Sequence, residues 1–360
     1  MQLRREGAGT ALIDPIDLPD LTPIQEATAG VEWILHAATQ DLPCLAELGL
    51  LPSVLFDTEL AGRLLGRERV SLAALVQSEL GEVLEKGHGA TDWSVRPLTA
   101  AQQRYAALDV ELLPELRSAM AAELAEAGKS EIARQEFASL LSFAPRERGE
   151  DEWRRTSGIH RIRKPRSLAV VRSLWLTREE IARTRDIAVG RILPDAAMVA
   201  AAQANLATIT DLSSLKEFTG RGAQRYLRRW WAAITEANAL PSGELPTGPP
   251  PTSGPPPPRS WSERDPVAFA RLSAARTALA AVAHSVGMPV ENVISPDIVR
   301  RLCWSPPEPA GPPEVAALLA GLGARPWQVD LTLSPLCAAL RAQPRHAPAD
   351  TPALEIVTGE

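Results

Sequence analysis

Cysteine is scarce in this 360-residue chain. Cys44, Cys303 and Cys337 are scattered, with no close pair. That excludes a zinc-finger spacing and a disulfide framework. Long apolar runs are missing too, and no stretch reads as a signal peptide or a membrane span. The expectation is a soluble cytoplasmic protein without a membrane partner. Aromatic residues make up only 4% of the chain, while 45% is hydrophobic, and Ala and Leu carry most of that weight. This is the composition of a helix-rich protein with room for real cores. Lysine is rarer still, at 4 against 34 arginines, which points to a GC-rich genome more than to chemistry.

What is present is an uneven charge. The net charge of −6 divides into −11 over residues 1–144, +7 over 145–240 and −2 over 241–360. An acidic segment beside a basic one suits a protein that holds cations in one place and phosphates in another; solvated surface is the plainer reading. The length suggests two or three domains.

The first 145 residues alternate strand and helix signals, which predicts an α/β layer. Gly7 and Gly9 sit in a charged turn between two short strand candidates, the second over residues 11–13, which reads as a hairpin. Residues 31–36 and 53–56 are further strands. A helix succeeds each, over 40–48 with Gly49 as its stop and over 59–65. Asp57 is expected to cap the second of these helices, and to be a ligand only after that. Asp41 falls in the first turn of the earlier one, just past the C-terminal end of a strand, where open α/β sheets expose their sites. A carboxylate answering the helix dipole is the alternative. Another helix is expected over 71–80. A polar, aromatic loop over 81–98 carries Glu85, Lys86, His88, Asp92, Trp93, Arg96 and Pro97, a composition suited to substrate contacts.

Thr99 followed by Gln102 reads as a capping box, and Gly128 as a stop, so one long helix is predicted between them. Tyr105 and Asp109 lie one turn apart on it and share a face. A phenol and a carboxylate so placed can hold a water beside a metal ion, or form the ordinary polar edge of a surface helix. A further helix is expected over 131–143.

Residues 145–166 form a charged, basic linker. Residues 167–240 then read as a small all-helical domain, with Thr177 to Glu180 as a second capping box. Arg221, Arg225, Arg228 and Arg229 are expected on its last helix, where they suit contacts to a nucleic-acid backbone. Nine prolines in residues 241–258 make an extended linker. Beyond it, Asp265-Pro266 with Gly287, Ser295-Pro296, and Pro312-Pro313 with Gly321 bracket three more helices in a second small domain over 261–345, ahead of a disordered tail over 346–360.

Several long stretches resemble one family. "FDTELAGRLLG", "LEKGHGATDWSVRPL" and "RYAALDVELLPELRSAM…LAEAGKSEIARQEF" look like ribonuclease D, a 3′-to-5′ exoribonuclease of the DEDD superfamily. Both helical segments look like the helicase-and-RNase-D C-terminal (HRDC) domain, the second as a diverged copy. The resemblance implies a multidomain α+β chain: a ribonuclease-H-like exonuclease domain over 1–144, then two small all-α HRDC-type domains. It implies a substrate class too: the 3′ ends of structured RNA such as tRNA precursors, cut by two Mg²⁺ (or Mn²⁺) ions held by four carboxylates. Asp41 in "HAATQDL" and Asp109 in "YAALD" match two of the four, and Tyr105 matches the tyrosine that orients the attacking water. Trp93, Arg96 and Lys86 are candidate RNA contacts, with Arg221, Arg225 and Arg228 on the HRDC-type domain. Nothing suggests an obligate oligomer, so a monomer is expected.

The family's first motif, an Asp-x-Glu on the first strand, supplies the other two carboxylates, and the given sequence begins after it. Either translation starts upstream of Met1 and the protein is an active exonuclease, or the gene is shortened and the remainder binds nucleic acid without cutting it.

Overall fold

The computed structural model describes residues 1–18, 20–84, 91–142, 151–204, 206–247 and 254–342. Lys86 and the 346–360 tail lie outside these residues. The chain divides into two compact units. One joins Met1–Pro145 with Gly254–Glu360, and the other is Arg146–Ser253.

The first unit opens with the expected hairpin. Strands β1 (Gln2–Arg5) and β2 (Gly9–Leu12) pair antiparallel, and Gly7 and Gly9 turn between them with positive φ. A short helix α1 (Thr22–Ala27) leads to β3 (Glu32–Leu35), then α2 (Ala38–Glu47) and β4 (Val54–Asp57). Strands β3 and β4 are parallel, with Leu35 opposite Asp57. All four residues of β3 are half-buried. Helices α3 (Thr58–Leu64) and α4 (Leu72–Leu80) come next; Asp57 caps α3 as expected, and α4 starts after Ser71 without a side-chain cap.

The long helix expected between Thr99 and Gly128 is two helices, α5 (Ala100–Glu111) and α6 (Leu113–Glu126). Pro114 is the cause. It has no N–H to offer the preceding turn and its ring crowds the carbonyl four residues back, so it starts a new helix instead of continuing the old one. The capping box at Thr99 and Gln102 forms as read. Helix α5 packs on the β1–β2 hairpin. Helix α6 buries Leu113, Leu116, Met120 and Leu124. Helix α7 (Ser130–Leu141) closes the segment against β4.

The stretch over 261–345, read from sequence as a second small helical domain, shares a hydrophobic core with this α/β layer through its described residues. Phe56, Leu64, Leu75, Leu116, Leu124 and Phe137 belong to the same cluster as Trp261, Leu272, Leu279, Leu302, Trp327 and Leu336. The helices there begin where the local signals place them. Pro266–Val286 is capped by Asp265, which accepts the Ala268 N–H at 2.9 Å, and ends on Gly287 in the left-handed conformation. Pro296–Trp304 and Pro312–Gly321 match their brackets, and Pro326–Ala339 follows them.

The second unit has its own core, including Trp153, Val171, Leu174, Phe218 and Trp230. Its main helix is α8 (Pro165–Arg185). Thr177 lies in the middle of it, and no capping box forms there; its hydroxyl donates to the Ser173 carbonyl at 2.9 Å. Pro165 starts the helix twelve residues earlier than the Thr177 signal, and burial of Leu168, Val171 and Leu174 carries it through. The four arginines expected on one last helix are split. Arg221 and Arg225 lie on a short helix, Arg221–Arg225, while Arg228 and Arg229 open the Leu227–Ala239 helix.

Candidate active site

The C-terminal ends of β3 and β4 are adjacent, because the strands are parallel and in register at Leu35 and Asp57. The residues just past each strand are therefore brought to one edge of the layer. After β3 the chain passes through His36 and Ala37 and enters α2, which carries Asp41 in its first turn. After β4, Asp57 starts α3.

Asp41 and Asp109 come from distant parts of the chain and feel one another. Both side chains reach solvent. Burial holds the Asp109 carboxyl above the usual carboxylate range, and the charge of Asp41 adds to the shift. Burial likewise raises Asp41, with a further contribution from Asp57. Two partly desolvated carboxylates of like charge suit a hard cation. Tyr105 lies one turn before Asp109 on α5. Its ring sits 6.1 Å from that of Trp93, centroid to centroid, so the 91–98 loop reaches the tyrosine.

Arg96 has a structural use in that loop. Its guanidinium pairs with Asp14, just past the hairpin, and donates to the carbonyls of Trp93 at 2.7 Å and Val95 at 3.1 Å. It ties the loop to the N-terminal hairpin. In the second unit Arg221, Arg225 and Arg228 are exposed. The Arg225 guanidinium lies over the Tyr226 ring, and Arg229 pairs with Glu180 at 2.7 Å.

Sequence reading underestimated two residues at the sheet edge. Asp57 is 3% exposed and accepts three backbone N–H groups, two of them from the β3–α2 junction. His36 bonds through Nδ1 to the Thr58 hydroxyl at 2.9 Å, and burial lowers its pKa. Thr58 donates its own proton to the Leu35 carbonyl, so its oxygen takes the His36 N–H. A strand-ending Asp-Thr pair was the available signal, but the partners across the sheet edge depend on the strand register.

The family model described as 3′-5′ exonuclease matches residues 1–125. The HRDC domain model matches 167–234, and the model described as 3′ to 5′ exonuclease C-terminal domain matches 254–340. Ribonuclease D of Nitrobacter hamburgensis is 33% identical over 234 residues, covering 63% of this chain and 59% of the relative. Ribonuclease D of Pseudomonas paraeruginosa is 33% identical over 245 residues, 67% of this chain and 65% of the relative. The chain thus carries a 3′-5′ exonuclease domain and an HRDC domain, and is similar to ribonuclease D over about two thirds of its length. These alignments span less than two thirds of either relative's length. Among solved structures, a protein from Bifidobacterium adolescentis superposes with a TM-score of 0.84 at 37% identity, over 94% of this chain and 86% of that one. Escherichia coli RNase D, described as an exoribonuclease involved in structured RNA processing, superposes with a TM-score of 0.68 at 24% identity, over 96% of this chain and 88% of that one, and so shares its fold.

The ribonuclease D likeness raises the question of divalent ions. The oxygen chemistry of Asp41 and Asp109 suits Mg²⁺ or Mn²⁺. Their number does not suit a two-ion centre, because among the described residues no group of three or more His, Cys, Asp or Glu is placed to hold a metal.

Proposed function

We propose that this chain is the body of a metal-dependent 3′-to-5′ exoribonuclease that trims the 3′ ends of structured RNA, tRNA precursors being one such class. The observation that supports it best is that the charge of Asp41, just past the end of β3, acts on the Asp109 carboxyl, with Tyr105 one turn before Asp109 on α5. Asp41 and Asp109 would supply two of the four carboxylates that such a two-ion centre uses. Divalent ions bound there would lower the pKa of a water and offset charge on the leaving oxygen. The Tyr105 hydroxyl would orient that water, and Trp93, next to Tyr105, would stack the terminal base. Arg221, Arg225 and Arg228 would hold RNA through its phosphates.

The test uses a 3′-labelled structured RNA, with the given chain compared to one extended by an Asp-x-Glu strand. The extended chain should release mononucleotides from the 3′ end with Mg²⁺ or Mn²⁺. Asp109→Asn or Tyr105→Phe in it should reduce kcat by about a hundredfold or more while RNA binding persists. Unchanged rates in those variants would sink the assignment.

A second reading rests on the missing three-donor cluster among the described residues. In it the chain binds nucleic acid through its HRDC unit and cuts nothing. The mass of the endogenous N-terminal peptide separates the two. A longer N-terminus bearing Asp-x-Glu favours the nuclease, and an N-terminus at Met1 favours the binding module.

A further inference from the structure

We propose that Asp57 is a positioning residue that sets where Asp41 sits, an inference that rests on the nuclease reading of the site. An N-cap needs one acceptor, and Asp57 supplies it to α3 by taking the Leu60 N–H at 3.1 Å. A serine or threonine would do as much. The rest of the carboxylate is directed elsewhere. Oδ1 also accepts the Ala37 N–H at 3.2 Å, and Oδ2 accepts the Ala38 N–H at 2.8 Å. These two amides are the entrance to α2.

Helix α2 has no cap of its own. Its N-cap residue is Ala37, which has no side-chain acceptor and is held at φ 60, in the left-handed region that an alanine seldom adopts. Few apolar anchors hold the helix: Ala38 and Leu42 are its only buried residues, in a small cluster with Leu55. Asp57 therefore satisfies two of the orphan donors and keeps Ala37 in its strained conformation. Asp41 stands three residues past Ala38, one turn along the helix, so fixing the Ala38 amide fixes the base from which Asp41 projects. The register makes this possible. Asp57 lies opposite Leu35, two residues before Ala37, so one carboxylate reaches both crossovers at the strand ends.

The experiment uses the full chain, extended by the Asp-x-Glu strand, with Asp57→Ser and Asp57→Asn. Serine keeps the cap for Leu60 but is too short for Ala37 and Ala38. Asparagine keeps the size, yet one of its two terminal atoms is a donor facing an N–H. Three quantities are read. Hydrogen exchange in residues 36–42 should quicken about tenfold in both variants, while residues 58–64 in Asp57→Ser stay near wild type. The concentration of Mn²⁺ needed for half-saturation, followed by electron paramagnetic resonance without RNA, should rise about tenfold or more. On labelled RNA, kcat should fall with KM nearly unchanged.

Unchanged exchange in residues 36–42 overturns the proposal. So does faster exchange there with the Mn²⁺ titration and kcat both unaltered, since Asp57 would then be only a cap. If the unsubstituted chain neither binds Mn²⁺ nor cuts RNA, the nuclease reading fails, and the exchange measurement alone decides whether Asp57 fixes the start of α2. If Asp57→Ser does not fold, Asp57→Asn carries the same three readings.

Discussion

Asp41 and Asp109 illustrate what partly buried carboxylates with like-charged neighbours do to stability. Burial raises both carboxyls, and a neighbouring carboxylate adds to each. A carboxyl that holds its proton more tightly in the folded chain favours folding below the unfolded Asp value near 4. That contribution is lost as pH rises from about 4 through the raised folded value, where both groups ionise. The metal-free chain should therefore lose stability across that window, and added Mg²⁺ should restore part of it. Asp109→Asn removes one charge of the pair. It should raise the melting temperature at pH 7 by about 1–2 °C, the small size reflecting the solvent these groups still see. A melting temperature that falls on this substitution would contradict the repulsion between the two.

Glu136 is the opposite case, a buried carboxylate with full compensation. Arg325 grips both of its oxygens at 2.6 Å, and the Trp327 indole N–H donates to it at 2.8 Å. Glu136→Ala leaves that guanidinium and indole without their acceptor. It should cost about 3 kcal/mol in denaturant unfolding. A cost below about 1 kcal/mol would show that water replaces the carboxylate.

At the scale of elements, the contrast between Thr99 and Thr177 is instructive. The two look alike in sequence, each followed three residues on by a residue able to complete a capping box. Thr99 caps α5, and Thr177 lies inside α8. Thr99→Ala should cost about 1 kcal/mol and fray the turn that leads to Tyr105. Thr177→Ala should be neutral or slightly stabilising, because alanine is the better residue in a helix interior. Thermal melts of both variants decide the matter, and equal losses would mean that the helix boundaries are misplaced. The α5–α6 break matters in the same way. It frees α5 to lie on the hairpin with Asp109 near its end, while α6 turns its leucines into the main core.

At the scale of the whole molecule, the chain leaves its first unit near residue 145 and re-enters it near residue 254. The α/β layer and the C-terminal helices share one core, and ties such as the Lys129 ammonium bonded to the carbonyls of Leu64 and Gly287 join them. The HRDC unit is inserted between two halves of one folding unit. A chain ending at residue 253 should thus expose the face formed by Leu64, Leu75, Leu124 and Phe137 and be recovered largely in aggregates. Residues 151–247 should instead fold alone, since their core is their own. If that unit holds RNA as proposed, its affinity should fall steeply with salt. Cleavage between residues 247 and 254 should leave both fragments together on a sizing column, held by the shared core.

Features that depend on local chemistry were legible in the residues themselves. Pro266 and Gly287 bound their helix, Asp57 caps α3, and Gly7 and Gly9 turn the hairpin, because each acts on neighbours a few residues away. The stretches around Asp57, Trp93, Tyr105 and Asp109 showed the resemblance to ribonuclease D for the same reason: each is contiguous. Other features arise only when distant segments meet. An apolar stripe does not state which surface will cover it, so nothing in residues 261–340 showed that they complete the core of residues 56–137. Nor did a strand-ending aspartate show that its second oxygen would hold another helix. That depends on β3 and β4 lying parallel and in one register, a pairing set by burial across the sheet and not by either strand's own residues.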